Sequence, residues 1–240
     1  MRFVTVLITV LGFSLSSLTF AASSLVAHGL AVSKSMSAFY MYGLTQGDNR
    51  YLTEFESFAK QAEETLDAYK VENAVTASGL QAEWQSLRPQ LKHEFVKDAG
   101  YIVPVVANNL FRAYLTHIYT LVLKEPRDEL KLAEQLQRID FDIEVISARF
   151  FDVSNHLYGA LSISNSDLAI DPPKIAAQVN AQLAMLAAGK STPEAVRKNI
   201  AVVQGKWKFI EDTVVNYKDE AAYFLVYYNL THIGKLLGSA

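Results

Sequence analysis

An all-α protein, an antiparallel helical bundle built from two tandem units of about four helices each, is predicted by three features of this sequence. Apolar residues recur at helical spacing along almost every segment. The breaks between segments carry glycine, proline and capping residues. The third feature is an internal echo. Residues 107 to 121, ANNLFRAYLTHIYTL, match residues 222 to 236 at an offset of 115, placing Leu115-Thr116-His117-Ile118 on Leu230-Thr231-His232-Ile233. Two further anchors are Tyr42-Gly43 with Tyr158-Gly159, and Trp84 with Trp207. A repeat this long is not that of a solenoid, so paired or fused bundles are expected, residues 22–125 forming the first unit and 126–240 the second.

The chain has 240 residues, half of them apolar and a fifth charged, which is ample for a core and too apolar for disorder. A net charge of −3 and the lack of any dense Lys/Arg run argue against nucleic acid as a partner. With no cysteine, disulfides, thiolate metal sites and cysteine nucleophiles are excluded.

Residues 1–21 read as a secretory signal peptide: Arg2, an apolar stretch, then small residues with a usable cleavage site after Ala21. The rival reading is an uncleaved anchor. The expected location of the mature chain is periplasmic or secreted.

The first helix covers about 24 to 46 and stops at Gln46-Gly47, where glycine can turn left-handed. Asp48 then caps a helix over 49 to 70, with Tyr51, Leu52, Phe55, Phe58, Ala59, Ala62, Leu66 and Tyr69 as its apolar stripe. A third, about 76 to 96, carries Trp84, and Pro89 predicts a kink or an early stop. The fourth, about 101 to 123, has Pro104 near its start. Glu125-Pro126 separates the units. The segment 127 to 164 is read as helical although RIDFDIEVIS alternates like a strand, leaving a break near Ile139 open. Asp171-Pro172-Pro173 starts a helix that ends at Gly189, and Ser191-Thr192-Pro193-Glu194 starts another with a hydroxyl cap, reaching about 215. The last helix, about 218 to 238, is apolar almost all round, which predicts enclosure by neighbours. Trp84 and Trp207 are expected to be buried in equivalent layers.

Catalytic and cofactor motifs are missing. The sequence holds no HExxH, GxSxG, GxxxxGKS or GxGxxG, and no histidine follows a glutamate by three positions as a di-iron bundle requires. No cofactor and no enzymatic activity are expected; two carboxylates, or a histidine and a carboxylate, converging in a cleft would indicate otherwise. His117 and His232 read as core or helix-end residues bonded to a neighbour. The tyrosines at 217 to 228 read as core. Helix 24 to 46 ends in a mixture of small polar and aromatic residues, Ser33 to Tyr42, echoed by Ala148 to Tyr158. Lys34 and Arg149 are nearly equivalent there, and two cations from paired helices could clamp a small anion. With Tyr40 and Asn155 beside them, they are the candidate ligand-binding residues.

The mixed first helix, the Trp-containing helix and the final DEAAYFLVYYNLTHIGKLL resemble the periplasmic sensory domain of pilus-type methyl-accepting chemotaxis transducers and nitrate/nitrite sensor kinases. In that family an arginine-rich signature around a Met-x-Ser core binds the anion. Here Met36-Ser37-Ala38 stands in its place, with Lys34 and Arg149 as the cations. The resemblance implies a chemotaxis-like sensory module for a small anionic ligand. The function expected is an exported, non-catalytic binding module that recognises a small ligand or the outer domain of a membrane receptor. The alternative is a structural or assembly protein of the bacterial envelope, acting through protein contacts as an oligomer.

Overall fold

The computed structural model describes residues 24–125, 130–155, 170–218 and 222–239. Within them every regular element is helical: α1 (Ser24–Leu44), α2 (Asn49–Glu72), α3 (Ala74–Leu87), α4 (His93–Asp98), α5 (Val105–Val122), α6 (Leu132–Asn155), α7 (Pro172–Ala188), α8 (Glu194–Asn216) and α9 (Tyr223–Gly238). The signal segment, His156 and the Tyr158-Gly159 anchor lie outside the described residues.

Local chemistry sets most of the ends. After α1 the Gly47 amide reaches back to the Tyr42 carbonyl at 2.8 Å, which requires the left-handed backbone found at Gln46 and Gly47. Asp48, Asn73 and Asp171 cap α2, α3 and α7 by accepting from Arg50, Thr76 and Lys174 amides. Pro89 ends α3 early: the chain passes through a 3-10 turn over Arg88–Gln90 before α4. One expected cap is absent. At α8 the cap position belongs to Pro193, with no side-chain bond, so the expected hydroxyl cap is replaced by a proline that pre-sets the entry angle.

The helices form two rings. In the first, α1 packs on α2 and α5, and α3 closes against α2 and α5; in the second, α6 packs on α7 and α9, and α8 closes against both. The rings meet where α1 lies along α6. A Cβ added to Gly29 would strike Phe141, and one added to Gly43 would strike Asn155. These contacts run in the same order on both helices, so α1 and α6 are parallel. Gly29 and Gly43 thin that face of α1 and let α6 approach closely.

At this centre the helical reading of RIDFDIEVIS holds, and the enclosure expected of the last helix does not. Helix α6 is unbroken at Ile139, and the alternation of RIDFDIEVIS marks a helix buried on every side: Ile139, Phe141, Ile143 and Val145 are buried, and so are Arg138, Asp140, Asp142 and Glu144. Helix α9 is not enclosed. Val226, Leu230, Ile233 and Leu237 face the core, while Phe224, Leu225 and Tyr228 are half or more exposed. Trp84 and Trp207 are buried as expected, at 4% and 1% exposure. Among the described residues only Trp84 finds a partner for its indole N–H, Glu63 at 3.2 Å. His117 and His232 do bond to neighbours, Glu83 and the Tyr228 carbonyl, but at the surface. Among the described residues the enclosed histidine is His28, whose Nδ1 donates to the Ala62 carbonyl and whose Nε2 accepts from the Tyr114 hydroxyl, each at 2.8 Å. Burial pulls its pKa down to about 4.

Candidate functional site: a charged cavity between the two rings

Two groups of buried polar side chains occupy the centre. The first joins α1, α5 and α6. Arg112 grips Asp152 with two bonds, Nε to Oδ2 at 2.6 Å and Nη2 to Oδ1 at 2.8 Å, and Arg149 Nη1 reaches the same carboxylate at 3.4 Å. Tyr40 donates its hydroxyl to Asn108, and burial followed by the nearby Asp152 charge pushes its pKa well above the ordinary tyrosine value. Asn155 accepts from the Val103 amide at 2.8 Å and donates to the Tyr101 carbonyl at 3.1 Å, clasping the turn before α5. Tyr40, Arg149 and Asn155 thus have protein partners and do not line the cavity described next.

The second group lines a cavity of about 320 Å³ walled by α1, α2, α6 and α9. Lys34 and Ser37, one turn apart on α1, face it with Glu54 and Phe58 of α2 and Glu144 of α6. The α9 wall is a single stripe at helical spacing, Tyr227, Leu230, Thr231, Gly234 and Lys235. Lys34 donates to Asp140 Oδ2 at 2.9 Å, and Asp140 stands one turn before Glu144. Gly234 permits the contact with α9, since a Cβ there would sit 3.1 Å from Lys34 Nζ.

The electrostatics of this cavity are unbalanced. Burial works to lower the Lys34 pKa, but Asp140 and Glu144 outweigh it and hold the ammonium charged. Glu144 is nearly enclosed and has no hydrogen-bond partner among the described residues. Burial, with Asp140 adding and Lys34 opposing, pushes its carboxyl up to about 8. Ser37, 2% exposed, has no partner for its buried hydroxyl among those residues either. Glu54, by contrast, accepts from the Tyr227 hydroxyl, whose pKa burial and that carboxylate raise.

Of the four candidate ligand residues, then, Lys34 alone faces the cavity. The expected clamp does not form. Lys34 and Arg149 are held by Asp140 and Asp152, which are 12 residues apart on α6, about 18 Å along its axis. Reading the sequence missed Ser37, Glu54, Glu144 and Tyr227 as a group. The available signal was RIDFDIEVIS itself, where charge and apolar character share every face of a helix.

Among the described residues no three His, Asp or Glu side chains converge to hold a metal ion, and no helix is long and apolar enough to cross a membrane. No family model matches the chain, and no curated protein and no solved structure is significantly similar to it.

Proposed function

We propose that the mature chain is an exported, non-catalytic binding or sensory module that takes a small organic ligand into the cavity between α1, α2, α6 and α9. The observation that carries this reading is a cavity of about 320 Å³ lined by Ser37, whose buried hydroxyl has no partner among the described residues, and by Glu144, 4% exposed and without a hydrogen bond to any of them. A buried polar group without a partner costs about 1–3 kcal/mol, and a ligand that satisfies it recovers that cost. The volume is at the small end of ordinary ligand sites, and Phe58, Leu230 and Tyr227 supply apolar wall. Glu54 and Glu144 both line this cleft, as a hydrolytic site would require. Recognition is favoured over bond-making because the Glu54 carboxylate is occupied by Tyr227. Export follows from the character of residues 1–21.

The same reading treats the chain as two tandem units. Its support is the correspondence of α1, α2, α3 and α5 with α6, α7, α8 and α9, the parallel central pair, and the burial of Leu115 and Ile118 in one ring where Leu230 and Ile233 are buried in the other. A ligand between the rings would sense their relative position, which suits a sensor.

The test is a thermal-shift screen of residues 22–240 against small amines, acids, alcohols and sugars. At least one class should raise the melting temperature saturably, and Leu230→Trp, which fills the cavity, should abolish the shift. No response from any class would overturn the reading. A second reading, assembly with envelope proteins or with a membrane receptor's outer domain, draws on the exposed Phe209, Phe224, Leu225 and Tyr228 of α8 and α9. It requires an oligomer or complex that Tyr228→Glu dissociates, measured by sedimentation.

A further inference from the structure

The ligand-binding reading leaves the chemical class of the ligand open, and the charge arrangement narrows it. Counted as ions, three carboxylates meet at this cavity, Glu54 of α2 with Asp140 and Glu144 of α6. Two ammonium groups face them, Lys34 of α1 and Lys235 of α9. The set is one cation short. Lys34 bonds one oxygen of Asp140 and the Tyr227 hydroxyl bonds Glu54; Asp140 Oδ1 has no partner among the described residues, and Glu144 makes no hydrogen bond to any of them. Ser37 lines the same cavity and its buried hydroxyl, without a partner among the described residues, can accept a hydrogen bond, and the Phe58 and Tyr227 rings add surfaces that attract cations.

We propose that the cavity binds a small primary amine as its ammonium ion, paired with Glu144 and hydrogen-bonded to Ser37, with its hydrocarbon part against Phe58, Leu230 and Tyr227. The inference rests on the ligand-binding reading and adds the class of ligand. A small anion, which the sequence alone suggested, finds its nearest cation already neutralised: Lys34 carries Asp140. Binding the amine carries a proton balance. Near neutral pH Glu144 holds a proton because burial and Asp140 keep it from ionising. An arriving ammonium reverses that, so the Glu144 O–H proton leaves for solvent as the ion pair forms. Lys34, Lys235, Asp140, Glu54 and Tyr227 are the charged and titratable groups around Glu144, and none of them need change state.

The experiment uses ¹⁵N-labelled residues 22–240 and three probes of equal chain length: n-butylammonium chloride, 1-butanol and sodium butyrate. Butylammonium should move the Gly234 amide resonance saturably and release about one proton per site at pH 7, read from the dependence of the binding heat on buffer ionisation. Glu144→Gln should weaken it about tenfold or more. Ser37→Ala should weaken it by a smaller factor, and retained helicity with cooperative melting in both variants will show that they fold. Binding of butanol or butyrate in place of the amine would overturn this inference and keep the cavity as a ligand site. So would the failure of all three probes while another compound in the screen binds, or equal binding of butylammonium to Glu144→Gln. No response to any compound would sink both readings.

Discussion

Two charged clusters lie about 18 Å apart on α6, and they differ in what they leave over. Around Asp152, Arg112 makes a two-pronged bond, Arg149 adds a third contact, and Tyr40 and Asn108 satisfy one another nearby. Around Asp140, Lys34 makes one bond, Glu144 has none among the described residues, and open space remains. The two carboxylates are almost equally buried, Asp152 at 1% and Asp140 at 4% exposure, so burial does not distinguish structure from function here. The number of bonds each accepts does, three against one. A buried ion pair with its geometry completed fixes how helices sit together, whereas a buried acid without a partner waits for one.

The largest effect should come from breaking the Asp152 cluster. Asp152→Ala leaves Arg112 and Arg149 enclosed without the carboxylate they share, and should cost about 3–5 kcal/mol in urea denaturation, or prevent folding. Glu144→Gln, in the open cluster, should act in the opposite direction. The unfolded Glu144 ionises near 4.5 and the folded one near 8, so between those values the unfolded chain has given up a proton that the folded chain keeps. Stability from this group is therefore complete below 4.5, falls as pH rises and levels off above 8. Glu144→Gln should flatten that slope and raise stability at pH 8 by about 2–4 kcal/mol.

His28 sets the limit on the acid side. Its folded pKa near 4 lies below the 6.5 of the unfolded chain, so its contribution is present above 6.5 and lost as pH falls towards 4. Replacing it with glutamine should remove about 2–3 kcal/mol of acid sensitivity, seen in melting temperatures across that range. The smallest contrast separates two glycines. Gly43→Ala drives a methyl to 2.6 Å from both Asn155 Nδ2 and the Tyr101 carbonyl oxygen, neither free to retreat, and should cost about 1–3 kcal/mol. Gly234→Ala meets the flexible end of Lys34 at 3.1 Å. The better helix propensity of alanine, worth about 1 kcal/mol, should offset that crowding and leave stability nearly unchanged while amine affinity falls.

The helical class was legible because caps and breakers act locally: Asp48, Pro89, Asp171 and Gly47 do in the structure what their chemistry indicates. Which helix lies at the centre was not. The run AAYFLVYYNLTHIGKLL looks more enclosed than RIDFDIEVIS, yet α9 is peripheral and α6 central, because burial depends on how many neighbours a helix acquires and hydropathy counts only its own residues. The site was half visible for the same reason. Lys34 could be picked out as a lone cation on an apolar helix, but its company comes from helices about 20, 110 and 200 residues further along the chain, and no local pattern announces Glu54, Glu144 or Gly234.

The parallel contact of α1 and α6 has a consequence for anyone who would dissect the molecule. Each ring lays its most deeply buried helix, α1 in one and α6 in the other, against its counterpart across the seam. Residues 24–125 and 130–239, produced as separate polypeptides, should therefore be insoluble when expressed apart and recoverable as a one-to-one heterodimer when expressed together.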